Sequence, residues 1–481
     1  MIVRDKLFID GQWRPAAGKE TLPVTDPSTG LVQCVVPRGT NADADAAVRA
    51  AALAFESWSQ TEAAFRADVL ERIANELTKR TDQLVQSIAS EVGMPLKLSA
   101  RVQVAGPLAS WARYTQLARD FAFESVVGNS VVFREPVGVV AAITPWNFPL
   151  SQITLKVAPA LAAGCTVVLK PSEIAPGVAF ILAEAMEAAN VPPGVFNLIT
   201  GLGEEVGEAL VTHRDVDAVS FTGSTRVGRR VAELAGKRVR KVLLELGGKS
   251  ASVVLDDADL AAAVKSTVGN CYLNSGQTCS AHTRLVVPRA RFEEALSLAK
   301  QAAERFRLGP ALAEGTMLGP LVSARQRERV WEYIRRGIDE GAELVCGGAE
   351  PPDGLGEGFF VRPTVLATQD AFATIAQEEI FGPVLTVLPH DGDEDAIRIA
   401  NATPYGLAGG VWSGSDERAM KIAKRMRAGQ IDLNGAAWNP AAPFGGFGDS
   451  GLGREAGVYG LEEFLEYKAV QLRAPPAQVP A

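Results

Sequence analysis

The chain has 481 residues, 47% hydrophobic and 22% charged, the balance of a soluble folded protein with room for two or three domain-sized cores, which excludes extended disorder. A net charge of −8 without any run of basic residues speaks against a surface for nucleic acid or an anionic membrane. Five cysteines, an odd number without metal-like spacing, point to a reducing cytoplasmic setting and to no metal site.

Charges interrupt every apolar stretch of residues 1–10, so no secretory leader is expected there. The longest nearly apolar stretch, 157–169, is too short to span a membrane and contains Pro159 and Gly164. Residues 44–58 and 64–91 carry a helical pattern and are expected to pack on the sheet that follows; 126–134 reads as a strand. From 137 onward, strands are expected at 137–143, 165–170, 195–199, 216–221 and 239–244. Helices fall between them, ending near 162 and covering 175–190, 204–211 and 224–234. Short continuous apolar strands alternating with helices indicate a parallel sheet covered on both faces, a doubly wound α/β unit. A helix is expected over 260–278, and a second α/β region runs to about 446, with strands at 285–287, 384–387 and 409–411. The boundary between the units is expected near Gly247-Gly248. Segments 126–134 and 465–472 are strand-like but lie outside both cores, and detached strands of this kind add to a neighbouring subunit. The tail Ala474-Pro475-Pro476-Ala477 reads as a frayed end.

Three segments combine polar and small residues at the ends of apolar strands or helices: Pro145-Trp146-Asn147-Phe148-Pro149, Glu245-Leu246-Gly247-Gly248-Lys249-Ser250 and Asn274-Ser275-Gly276-Gln277-Thr278-Cys279-Ser280. In open α/β sheets that edge is where ligands bind. Cys279 stands among small polar residues, whereas Cys34, Cys165, Cys271 and Cys346 read as small core hydrophobes. In Phe221-Thr222-Gly223-Ser224-Thr225-Arg226-Val227-Gly228 a strand ends, Gly223 allows a tight turn and Ser224 can cap the next helix, whose exposed amides favour a phosphate. The full G-x-G-x-x-G fingerprint is absent, and Gly201-Leu202-Gly203 supplies a fragment of it. His282 reads as a packed or surface residue, and His213 and His390 as residues of polar turns.

These motifs, in this order, resemble the aldehyde dehydrogenase superfamily over essentially the whole chain. Further matches are Lys170-Pro171-Ser172-Glu173, Gln377-Glu378-Glu379-Ile380-Phe381-Gly382-Pro383, Pro443-Phe444-Gly445-Gly446 and Ser450-Gly451-Leu452-Gly453-Arg454-Glu455. The resemblance implies oxidation of an aldehyde to a carboxylic acid with NAD, NADP being left open. It implies Cys279 as nucleophile, Glu245 as general base, Asn147 as oxyanion donor, and Lys156 with Glu455 as a proton relay. A free thiol is only about 3% thiolate at pH 7, so the nucleophile needs activation. For the cofactor it implies Lys170 and Glu173 at the adenosine ribose, Ser224 with Gly223 at the pyrophosphate, Glu379 at the nicotinamide ribose and Phe381 beside the ring. Thr144, Trp146, Gly203, Gly228 and Leu246 complete the expected cofactor contacts.

The implied fold is two doubly wound α/β domains plus a small β extension. The cofactor-binding domain is expected at 1–117 and 137–247, the catalytic domain at 248–446, and oligomerisation strands with the C-terminal segment at 118–136 and 447–481. A homodimer or homotetramer acting on a small aldehyde, without nucleic acid or membrane, is the expected setting. Phe447-Gly448-Asp449 and His282 depart from common family residues at the substrate entrance, and Leu155 stands where choline-type relatives carry an aromatic. Trp438, Trp111, Tyr114 and Phe148 are expected to line an apolar tunnel for an aliphatic or aromatic aldehyde. Three other readings compete: a relative that passes the acyl group to CoA, against which Glu245 counts; a non-catalytic crystallin-type relative, against which Cys279, Glu245 and Asn147 count together; and a cysteine hydrolase without a cofactor, which would leave the cofactor-cleft motifs without a purpose.

Overall fold

The computed structural model describes residues 2–473, so the tail at 474–477 lies outside the described residues. An eight-stranded sheet runs in the order Gly451–Leu452, Lys241–Glu245, Ala218–Thr222, Val139–Ile143, Thr166–Lys170, Phe196–Leu198, Lys6–Ile9 and Gln12–Pro15. The five inner strands from Lys241–Glu245 to Phe196–Leu198 are parallel, and the strands added at both edges are antiparallel. Alternate side chains of one strand enter opposite faces. Val140, Ala142, Val167 and Leu169 accordingly join one core, while Val139, Ala141, Ile143 and Val168 join the other. Burial on both faces is why these strands read as unbroken apolar runs.

Chain order within this sheet reverses beside Val139–Ile143. The chain first builds outward through Thr166–Lys170 and Phe196–Leu198, then returns to lay Ala218–Thr222 and Lys241–Glu245 on the other side. Such a reversal opens a crevice at the carboxyl ends of the two strands that flank it.

A second, seven-stranded sheet has the order Glu343–Cys346, Thr364–Ala367, Val384–His390, Arg284–Pro288, Ala251–Val254, Ala408–Trp412 and Gln430–Leu433. It is parallel except for its first strand. A third sheet pairs Leu465–Gln471 with Ser130–Pro136, and that strand with Glu124–Val127. It leaves Val126, Val127, Tyr467 and Val470 exposed. Among the described residues, no helix is long and apolar enough to cross a membrane.

Four local expectations are corrected. The strand expected over 126–134 is a hairpin, turned at Gly128, whose φ of 60° suits a two-residue turn. The helix expected over 64–91 breaks at Arg80, which leaves helical geometry between Ala63–Lys79 and Thr81–Val92. The helix expected over 260–278 ends at Cys271. Segment 204–211 opens with a wide π turn, Gly203–Gly207, before the short helix Glu208–Thr212. The strands before residue 40 have no counterpart among the expected elements. After residue 446 the chain returns to the first sheet, adding Gly451–Leu452 and the helix Gly457–Glu462 before it reaches Leu465–Gln471.

Candidate active site

The crevice at the reversal point is a cleft of about 700 Å³. Trp146 and Asn147 come to it from the end of Val139–Ile143, Gly223 and Ser224 from the end of Ala218–Thr222, and Leu246 from the end of Lys241–Glu245. The second sheet contributes Cys279, Glu379 and Phe381. Segments up to about half the chain apart in sequence thus converge on one space.

Cys279 sits in a loop held by primary amides. Asn147 donates from Nδ2 to the Gln277 carbonyl at 3.0 Å. The Asn147 carbonyl accepts from Gln103 Nε2 at 3.0 Å and from Asn274 Nδ2 at 2.8 Å. Gln277 in turn donates to the Asn274 carbonyl at 3.0 Å and accepts from the Val322 amide at 2.9 Å. Asn274 and Ser275 adopt φ of 53° and 57°, a left-handed conformation that ends the preceding helix and re-aims the chain. Gly276 follows at φ 75°, and a Cβ there would lie 2.0 Å from the Gly382 carbonyl oxygen. The Cys279 loop therefore backs directly onto the loop that carries Glu379 and Phe381.

Glu245 ends its strand almost fully buried, facing the Cys279 thiol, with neither carboxylate oxygen accepting a hydrogen bond. Burial first, and then the Glu455 charge, raise its pKa well above the carboxylate range, while Lys156 pulls it back. Burial and the neighbouring Glu245 and Glu379 charges push the Cys279 thiol up in turn. Lys156, on the buried helix Pro149–Ala163, donates to Thr222 Oγ1 at 2.7 Å and pairs with Glu455. The second Glu455 oxygen has no partner. This ion pair is interior, not a surface contact.

The remaining expected contacts separate into two groups. Thr144 lies beside Lys170, whose backbone carbonyl accepts from the Thr144 amide at 3.1 Å, and its hydroxyl is buried without a partner. Lys170 Nζ donates to the Pro171 carbonyl at 3.0 Å and stands 3.5 Å from the half-exposed Glu173 carboxylate. Burial lowers the Lys170 pKa and Glu173 opposes that shift. Gly203 opens the adjoining π turn with nothing within 4 Å of where a Cβ would stand. Ser224 caps the helix Thr225–Gly236, accepting from the Val227 amide at 3.4 Å. Gly228 serves packing: a Cβ would lie 2.4 Å from Leu246.

Glu379 accepts from the Gly248 amide at 3.0 Å, and burial pushes its pKa up to about 7. Phe381, at φ 63°, meets the Trp146 ring edge-on at 5.5 Å. The helix Ala324–Asp339 secures this loop. Gln326 donates to the Phe381 carbonyl and Arg329 to the Glu379 carbonyl, each at 2.8 Å.

Gln103, Asn274, Gln277, Gln326 and Arg329 received no role from sequence; Asn274 and Gln277 stood inside a quoted motif and were the only ones with a local signal. Trp111 and Tyr114 are buried in the first core, Trp111 donating to Thr154 Oγ1 at 3.0 Å, so they do not line a tunnel. Core packing and tunnel lining leave the same aromatic signature in a sequence. Trp438 is exposed and stands edge-on to Phe444 at 6.4 Å. His390, expected in a polar turn, is buried at the end of a strand and bonds the Val254 carbonyl. Cys165 and Cys271 are fully buried, which pushes each thiol up to about 12.

The residues at the crevice fit a dinucleotide: strand ends at a reversal point, a capped helix start without a carboxylate in its first turn, and the Glu379 carboxylate on the facing wall. The model of the aldehyde dehydrogenase family matches residues 13–470. A 3-succinoylsemialdehyde-pyridine dehydrogenase from Pseudomonas sp. is 47% identical, covering 97% of this chain and 98% of its own. Among solved structures, a cysteine-to-alanine mutant of aldehyde dehydrogenase C from Pseudomonas syringae, in complex with NAD+ and octanal, superposes with a TM-score of 0.97 at 45% identity, covering 99% of this chain and 98% of its own. A Mycobacterium tuberculosis aldehyde dehydrogenase complexed with NAD+ gives 0.96 at 41% identity, with 99% of each chain covered.

Proposed function

The chain belongs to the aldehyde dehydrogenase family, and from that premise we propose that it oxidises an apolar aldehyde to the carboxylic acid with NAD, using Cys279 as nucleophile. The observation that carries the assignment is that Cys279 and Asn147 line one cleft together while the buried Glu245 carboxylate faces the Cys279 thiol.

At rest the thiol holds its proton. Glu245 receives it, because a buried carboxyl with a raised pKa is better matched to a thiol than an ordinary carboxylate is. The thiolate adds to the aldehyde carbon. A carboxamide nitrogen has two hydrogens; the Gln277 carbonyl takes one from Asn147, leaving the other for the developing oxyanion. Such a donor is worth about 3–4 kcal/mol in the transition state. NAD, when bound, supplies the hydride acceptor, and Lys170, Glu173, Ser224, Glu379 and Phe381 are the residues that would hold it. The Cys279 thioester is then hydrolysed by water that gives its proton to Glu245. Lys156 and Glu455 adjoin that base and are assigned the onward relay. Atoms balance as aldehyde, NAD+ and water giving acid, NADH and a proton.

Glu173 favours NAD, since its carboxylate repels a 2′-phosphate. An aliphatic or aromatic substrate is supported by the exposed Trp438 against Phe444, and by the octanal and pyridine compounds named for two relatives. The exposed apolar side chains of the third sheet support assembly into a homodimer or homotetramer. The working division of the chain remains a cofactor-binding unit at 1–117 and 137–247 and a catalytic unit at 248–446, and a reduced Cys279 suits the cytoplasm. Cys279→Ala is expected to bind NAD, read by titration, yet form no NADH from any aldehyde. Aldehyde-dependent NADH from the folded variant would overturn the covalent route.

A further inference from the structure

Next to the Gly247-Gly248 segment, residues of the second sheet and the loops beside it line a small cavity whose empty space of about 260 Å³ includes its opening to solvent. Its charged lining is Lys249, Arg284 and Arg427, with no carboxylate among them. Lys249 is 1% exposed and its Nζ has no hydrogen-bond partner; the neighbouring Ser250 hydroxyl is also buried and partnerless. Arg284, equally buried, donates to the carbonyls of Lys249 at 2.8 Å and of Ile399 and Ala400 at 2.7 Å. These bonds use three of its five N–H groups and bring no negative charge.

Two buried cations without a counter-charge are costly. A lysine can escape by losing its proton; an arginine cannot. Burial, and then the Arg284 charge, do lower Lys249 to about 7, against the more distant pull of Cys271, Glu379 and Glu378. That leaves the Arg284 charge uncompensated and three ammonium hydrogens, or an amine lone pair, facing a cavity. The interior has room for about one water-sized occupant, which excludes phosphate and carboxylates. Arg427 is exposed and offers a route for an anion from solvent.

We propose that this cavity is a halide site, in which a chloride ion accepts from the Lys249 ammonium and the Ser250 hydroxyl beside the Arg284 charge. An occupied site holds Lys249 protonated. Its charge in turn favours the ionised form of Glu379, toward which it acts directly. Chloride is therefore expected to strengthen NAD binding, a coupling that rests on the reading of Glu379 as a cofactor ligand. The site itself does not depend on that reading.

Crystals of the full chain soaked in sodium bromide are expected to give an anomalous peak in contact with Lys249 Nζ and Ser250 Oγ. In solution, sodium chloride at about ten times its Kd is expected to raise the melting temperature by about 1 °C over sodium gluconate at equal ionic strength. Lys249→Met is expected to abolish that difference, and Ser250→Ala to reduce it should the first variant fail to fold. A water in place of bromide, together with equal melting in the two salts, overturns the site. A bromide peak with identical NAD affinity in both salts sustains the site and overturns its link to Glu379.

Discussion

Removing Lys156 tests both the interior ion pair and its influence on the base. The pair is fully buried on the lysine side and 9% exposed on the glutamate side, so it belongs with buried pairs, whose disruption costs about 3–5 kcal/mol, and not with surface pairs worth about 0–1. Unfolding entropy near the melting point is about 2.1 cal/mol/K per residue; over 481 residues that cost corresponds to about 3–5 °C. Lys156→Met should therefore lower the melting temperature by that amount, and adding Glu455→Gln should recover most of it, because the uncompensated carboxylate is then gone. The pH profile supplies a second readout. Lys156 lowers the Glu245 pKa and Glu455 raises it. A base acts only when deprotonated, so the rise of kcat with pH should move up in Lys156→Met and down in Glu455→Gln. Scanning calorimetry and stopped-flow kinetics across pH check both. A melting loss under 1 °C in Lys156→Met, or midpoints that move in the same direction, would refute the reasoning.

Two further substitutions bear on the base and the cofactor. Glu245→Gln should slow turnover by about 10²–10⁴-fold, with the first equivalent of NADH ahead of a slow phase if deacylation limits. The same variant should melt higher than wild type at pH 8: a carboxyl whose folded pKa is raised contributes stability below its unfolded pKa and loses it as pH climbs through the folded value. Unchanged turnover, or lower melting at pH 8, contradicts the assignment. Glu173→Gln should narrow the preference for NAD over NADP in binding titrations; identical affinities before and after would remove Glu173 from the cofactor site.

The five inner strands of the first sheet were legible because burial on both faces writes unbroken apolar runs, and these strands fall within a residue or two of those runs. The candidate site residues were picked out through motifs, and Asn147, Ser224, Leu246, Cys279, Glu379 and Phe381 of those motifs line one cleft. What escaped is instructive. Asn274 and Ser275 interrupt a helical pattern with left-handed geometry that polar residues tolerate but do not announce. Gln103, Gln326 and Arg329 act through backbone carbonyls of distant loops, and such partners have no sequence period. Trp111 and Tyr114 show the converse error, since hydrophobicity cannot tell a core from a tunnel. Lys156 was named by the family resemblance alone; inside its apolar helix it is held by Thr222 and by Glu455, 299 residues away.

The contact of Gly276 with the Gly382 carbonyl has a consequence for redesign. With no side chain between the two backbones, neither segment has slack to accept an insertion, a bulkier residue or a shifted register by itself. A transplant of the 377–383 segment from a relative, made to alter cofactor preference, would press on the seat of the thiol unless 274–277 were exchanged as well. The Cys279 loop and the 377–383 segment are in this sense a single heritable module, although about a hundred residues of chain lie between its halves.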